Sequence, residues 1–191
     1  MVRILLVRPG ATPFDDQGRM KGCLDMPLSD NGRLQVAKTA SALSQESLDW
    51  IFTAPCESAQ TMAAELAKSR KTKVKVVDAF RNIDHGLWHG KLIEEVRRQL
   101  PRLFKLGQED GESVCPPGGE SFDAAKTRVT KTLRKLVKRH ESEAIALVIP
   151  DPLASLVRGM LQGEALEDLW RAECDAGTWE AMDVGLPLAL A

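Results

Sequence analysis

The chain has 191 residues, 43% of them hydrophobic and 28% charged, with a formal net charge of −1. That length suits one domain over 1–191, with a small cap or insertion at about 91–118. The near-zero charge gives no electrostatic case for nucleic acid or an anionic membrane surface, and no apolar run reaches the ~18 residues that span a bilayer. The opening "MVRILLVRPG" has too short an apolar core for a signal peptide and no small-residue cleavage site, which predicts a cytoplasmic protein. Residues 2–7 predict a buried strand that runs into Arg8, Pro9 and Gly10. "SDNGRLQVAKTASAL" predicts a helix from Ser29 to Ser44, with Ser29 as N-cap and an apolar stripe at Leu34, Ala37, Ala40 and Leu43. A second strand follows at 48–54, an alanine-rich helix at 56–69 and an alternating strand at 73–79.

Arg81 to Gly90 reads as a loop, with two histidines around Trp88. Leu92 to Leu106 is predicted helical and broken at Pro101. The glycines and prolines of 107–121 predict a mobile loop. Glu120 to His140 is predicted as a long amphipathic helix whose basic side (Lys126, Arg128, Lys131, Arg134, Lys135, Lys138, Arg139) is a solvated face. "EAIALVIP" (143–150) reads as a central strand, Leu153 to Leu161 as a helix, and "GTWEAMDV" (177–184) as a last strand. Strands alternate with helices throughout. The expected fold is α/β: a three-layer α/β/α sandwich around a mostly parallel sheet. Function in such folds sits beyond the carboxyl ends of the strands, on the loops that begin at Arg8, Ala54, Phe80 and Pro150.

Cys23, Cys56, Cys115 and Cys174 form no CxxC pair, which argues against a zinc site and a thioredoxin-like motif and for reduced, structural thiols. Cys23 and Cys56 near Arg8 have the chemistry of a replacement nucleophile, but loop packing is the simpler reading. His85 and His89 with Asp15 and Asp151 would suit zinc or iron. Against that, a glycine interrupts "HGLWH", and two loop histidines more simply bond backbone and water. His140 suits the end of its helix, and Arg19 reads either as a pocket-rim cation or as a solvated side chain. Trp88 and Phe14 read as wall or core. No metal or cofactor is expected.

The four loops carry a resemblance. "LLVRPGAT" resembles the opening Leu-Val-Arg-His-Gly-Glu-Thr of the histidine phosphatase (phosphoglycerate mutase-like) superfamily. "GRMKGCLDMPLSDNGRLQVA", "IFTAPCESAQTMA", "FRNIDHGLWHGK", "PGGES" and "ALVIPDPLASLVRGML" resemble later blocks of that family, in family order, over residues 4 to about 162. The resemblance implies the fold and a phosphoryl-transfer site, and it shows where this chain departs. The family's histidine nucleophile aligns with Pro9, between Arg8, which matches, and Gly10. The family glutamate aligns with Ala11 and a phosphate-contacting asparagine with Asp15. The second arginine aligns with Ser58, the proton donor with Asn82, and the second histidine and its following glycine with Asp151 and Pro152.

Proline offers neither a nucleophilic atom nor a backbone N–H, so covalent catalysis is excluded at that position. Asn82 cannot protonate a leaving oxygen, and Ser58 removes a bidentate clamp. The expected pocket is Arg8, Gly10, Thr12, Asp15, Arg19, His85 and Asp151, with Arg8 set against Asp15 and Asp151. These readings favour a non-catalytic, phosphatase-like binding or regulatory module whose partner is an unknown small molecule or protein. A divergent phosphatase or metal-dependent hydrolase with a rebuilt site stays open, as does a structural subunit of a homo-oligomer.

Overall fold

β1 (Val2–Val7) is buried at every position except Arg3, as a strand covered on both faces must be. The computed structural model describes residues 1–68, 70–166, 168–172 and 176–185; Cys174 lies outside them. After β1 come α1 (Pro13–Asp16), α2 (Asp30–Ala42), β2 (Trp50–Thr53), α3 (Glu57–Ala67) and β3 (Lys73–Val76). The second half holds α4 (Ile93–Gln99), α5 (Pro101–Glu109), α6 (Phe122–Arg139), β4 (Ala144–Val148), α7 (Leu153–Gln162), α8 (Leu169–Ala172) and β5 (Trp179–Val184). The sheet runs β3-β2-β4-β1-β5. All neighbours are parallel except β5, which is antiparallel to β1. α2 packs on α3 and α6 on α7, and these helical layers bury β1 and β4 from both sides. The fold is therefore α/β with a central, mostly parallel sheet.

The topology places the site. The chain leaves β1 toward β2 on one side of the sheet order and leaves β4 toward β5 on the other. The carboxyl ends of the adjacent strands β1 and β4 thus flank a crevice. Arg8 follows β1 directly, and Asp151 follows β4 after Ile149 and Pro150.

Several local expectations are corrected. The buried face of α2 is Gly32, Val36 and Thr39, continued by Leu43, whereas Leu34 is 72% exposed and Ala37 points outward. The stripe is rotated because Gly32 is the contact point: a Cβ there would lie 1.9 Å from the Ala11 carbonyl oxygen. β3 is the edge of the sheet and exposed along its length, so its alternation does not mark a buried face. The lysines between its valines suit an edge that must not pair further. The 107–121 segment is tied down instead of loose. α5 extends to Glu109, the Leu87 N–H donates to the Pro117 carbonyl, and the Glu120 N–H donates to the Asp84 carbonyl at 2.8 Å. Arg128, expected on a solvated face, grips both Glu120 oxygens (2.6 and 2.8 Å) and the Ala79 carbonyl.

Candidate functional site

β1 delivers Arg8 into the crevice with its side chain 7% exposed. Its Nε donates to Asp151 Oδ2 at 2.5 Å, Nη1 to Glu180 Oε1 at 3.0 Å and Nη2 to Ser155 Oγ at 3.3 Å. The guanidinium fork is thus occupied on both sides by the protein's own acceptors. The other Asp151 oxygen accepts from the Ser155 backbone N–H (2.9 Å) and hydroxyl (2.7 Å), which ties the carboxylate to the first turn of α7. Burial lowers the Arg8 pKa, but the charges of Asp151 and Glu180 outweigh it and hold the guanidinium protonated. Burial pushes the Asp151 carboxyl up to about 6, against the opposing pull of Arg8.

Asp15 forms no ion pair with Arg8. It belongs to the N-terminal turn of α1, where its Oδ2 accepts from the Thr12 N–H (2.6 Å) and hydroxyl (2.7 Å). Its charge is met by Lys21, whose Nζ lies 2.8 Å from Oδ2 with its side chain 9% exposed. The expected triangle of Arg8, Asp15 and Asp151 is therefore divided between separate ion pairs. The capping box of α1 holds Asp15 through residues adjacent in the chain. Between the pairs lies a cavity of only about 10 Å³, walled by Arg8, Pro9, Asp15, Lys21, Pro150 and Asp151. That is about the space of one water.

The remaining positions are held by the following contacts. Gly10 is required by contact, since a Cβ there would lie 2.3 Å from the Gly32 carbonyl oxygen. Thr12 is fully buried and spends its hydroxyl on the α1 cap. Asn82 is a buried cross-link: its Nδ2 donates to the carbonyls of Asp151 (2.6 Å) and Gly22 (3.0 Å), and its Oδ1 accepts the Leu153 N–H. Ser58 is buried with Cys56 Sγ 3.7 Å from its hydroxyl. Arg19 is held away from the cradle by the Gly90 carbonyl at 2.6 Å and by Gln17.

The histidines also sit elsewhere than expected. His85 is fully buried rather than turned to water. Neither ring joins Asp15 and Asp151. Instead His89 meets Cys23 and Asp84, each 3.7 Å from its Nε2, in a group of metal-ligating side chains that the sequence does not announce. Trp88 is core, 3% exposed. Beside the cradle, a pocket of about 180 Å³ opens over Lys21, Cys23, Cys56, Ser58, Arg81 and Asn82. On the far side of Arg8, a cleft of about 890 Å³ is lined by charges of both signs, among them Arg158, Arg171, Asp168 and Glu180.

The family model for the histidine phosphatase superfamily (branch 1) matches residues 4–185. The chain belongs to that superfamily. It is 32% identical to phosphoserine phosphatase 1 of Hydrogenobacter thermophilus over 183 residues, covering 95% of this chain and 86% of that one. It is 24% identical to the adenosylcobalamin/alpha-ribazole phosphatase of Escherichia coli K12, covering 98% and 93%. Among solved structures it resembles Bacillus stearothermophilus YhfR, with a TM-score of 0.84 at 23% identity over 98% and 94% of the two chains. A mycobacterial glucosyl-3-phosphoglycerate phosphatase follows with a TM-score of 0.82 at 23% identity over 95% and 92%.

Two residues of this histidine phosphatase crevice escaped the sequence reading. Lys21 stands in a short polar segment with no mark of burial. Glu180 had a faint one: a carboxylate inside the alternating "TWEAMDV". It meets Arg8 because β5 pairs antiparallel with β1, which sets Glu180 opposite Leu6, and it also accepts from Arg158 at 3.1 Å.

Proposed function

We propose that this member of the superfamily does not carry out phosphohistidine chemistry and works as a ligand- or protein-binding, regulatory module. The observation that carries the reading is the closed Arg8 fork, held by Asp151, Glu180 and Ser155 in a crevice with room for about one water. A phosphate dianion entering there must displace both carboxylates from Arg8 and then face their freed charges. At 4 Å each such repulsion is roughly 4 kcal/mol at an effective dielectric of 20. The resemblance puts the nucleophile at Pro9, which has no atom that can attack phosphorus. It puts the proton donor at Asn82, whose amide is committed to three backbone partners. The open pocket beside Ser58 and Asn82 is where this reading seats a ligand.

The test is hydrolysis of phosphoserine and of alpha-ribazole phosphate, substrates taken from the relatives' names, by the purified chain with EDTA and with added divalent metal. The expected rate in EDTA equals the buffer blank. A rate in EDTA that survives Pro9→Ala and is lost in Asp151→Asn or His85→Ala overturns the proposal and establishes a rebuilt phosphatase site. A second reading, metal-dependent hydrolysis, is favoured by the convergence of Asp84 and His89 on Cys23, which lines that pocket. A rate that appears only with metal and is lost in His89→Ala would establish it in place of the first.

A further inference from the structure

We infer that Cys23, Asp84 and His89 form a binding site for a zinc ion, with one coordination position left open. The inference stands apart from the proposed function, since a zinc ion binds there whether or not phosphate is hydrolysed nearby. One ligand atom from each of the three side chains falls within 4.8 Å of the others. His89 Nε2 is 3.7 Å from Cys23 Sγ and 3.7 Å from Asp84 Oδ1. With Zn–S of ~2.3 Å and Zn–N and Zn–O of ~2.0–2.1 Å, a tetrahedral ion sets its sulfur about 3.5 Å and its oxygen about 3.3 Å from the nitrogen. The existing separations approach those values, so the ion needs only small side-chain movements.

The donor atoms are presented correctly. The His85 backbone N–H donates to His89 Nε2 at 3.3 Å, so Nε2 is the unprotonated nitrogen of the neutral ring, and a zinc ion takes its lone pair in place of this long hydrogen bond. The Asp84 carboxylate is oriented by the Gly86 N–H, 2.8 Å from Oδ1. The loop is shaped for this approach: Gly22, at φ +54°, carries no Cβ, and one built there would lie 2.6 Å from His89 Nε2. Without metal, the cluster places a thiol, a carboxylate and an imidazole lone pair face to face. Zinc replaces the thiol proton, which leaves for solvent, and supplies a counter-charge at the centre of the cluster.

A nucleophilic cysteine is the competing use of these residues, and the geometry disfavours it. A relay needs the thiol and the carboxylate on opposite ring nitrogens. Here both address Nε2. Cys23 also lines the 180 Å³ pocket together with Lys21 and Arg81. The open position is therefore available to water or to an anionic oxygen of a molecule in that pocket, in the manner of three-ligand zinc sites.

The test is metal titration of the full chain after EDTA treatment and desalting. Zinc binding is followed by calorimetry, and cobalt substitution by absorbance. The expected results are one zinc per chain, a thiolate-to-cobalt charge-transfer band and intense visible bands of four-coordinate cobalt. Cys23→Ser and His89→Ala should each weaken zinc binding by about a hundredfold or more and abolish the charge-transfer band, while Cys56→Ser and Cys115→Ser leave both intact. Circular dichroism checks that the variants fold, as substitutions at a half-buried rim should allow. Absence of stoichiometric zinc binding overturns the inference. So does zinc binding that persists unchanged in Cys23→Ser and His89→Ala, because the metal then sits elsewhere.

Discussion

The Arg8 cradle and the Cys23 cluster share a stitch, Asn82, which bonds the Asp151 carbonyl on one side and the Gly22 carbonyl on the other. They handle charge in opposite ways. At the cradle every ionised group has a counter-charge from the chain itself: Arg8 with Asp151 and Glu180, Lys21 with Asp15. At the cluster three electron-pair donors converge on one another. A self-neutralised pocket gains rigidity and loses the ability to take an ion, because an incoming anion must replace contacts of equal quality. A cluster of facing donors is the reverse: an incoming cation has no positively charged side chain to displace among Cys23, Asp84 and His89. On the proposed reading, binding belongs to the rim and not to the strand ends.

The largest expected effect breaks the first half of that contrast. Asp151→Ala leaves Arg8 buried with its main partner gone and should cost about 3–5 kcal/mol in urea unfolding. The double variant Arg8→Met, Asp151→Ala should be more stable than Asp151→Ala alone; equal or lower stability would mean that the pair is not a coupled unit. The next effect is in pH. The Asp151 carboxyl is pushed from its ordinary 3.8 to about 6. Between those values the folded chain holds a proton that the unfolded chain has released. Its contribution to stability is full below about pH 4 and is lost as pH rises through about 6, a change of about 3 kcal/mol. Comparing urea midpoints at about pH 4 and about pH 7 should show this component in the wild-type chain and its absence in Asp151→Asn. Identical pH dependence in the two chains would place the carboxyl's pKa near its ordinary value.

Smaller effects sharpen the second half. Gly22→Ala forces a Cβ into a positive-φ backbone and against His89, and should cost about 1–3 kcal/mol while also weakening zinc binding. Stability lost with zinc affinity unchanged would separate the glycine from the cluster. Lys21→Met removes the partner of Asp15, whose side chain is only 12% exposed. It should cost about 1 kcal/mol, less than Asp151→Ala because Asp15 keeps its bonds to Thr12. A cost as large as that of Asp151→Ala would show that the two pairs act as one network.

Much of this molecule was legible in its sequence. The apolar run at 2–7, the buried run at 143–150 and the alternation of strands with helices specify an α/β sheet, because periodicity and burial are local properties that composition records directly. "LLVRPGAT" and the blocks after it marked the superfamily and placed Arg8, Pro9, Asn82 and Asp151 at strand ends. The helix and its Ser29 cap were legible, but Leu34 and Ala37 were set on the wrong face because a helix with scattered alanines presents two plausible stripes. The choice between them was made by Gly32 against the Ala11 carbonyl, a contact made across the fold. The 107–121 segment was misread because glycine and proline signal turns, and say nothing of whether those turns are pinned by residues 84–87.

Charge pairing was decided entirely in three dimensions. The sequence supplied an arginine and two aspartates and left them to be assigned by proximity of motif. The structure sent Asp15 to Lys21 through a helix cap, brought Glu180 to Arg8 through an antiparallel strand, and gathered Cys23, Asp84 and His89 from two loops that the sequence separates by some sixty residues. Sequence determines which elements form, since that depends on neighbours along the chain. Which charges meet depends on sheet order, register and the rotation of packed faces, and those are settled only when the whole core closes.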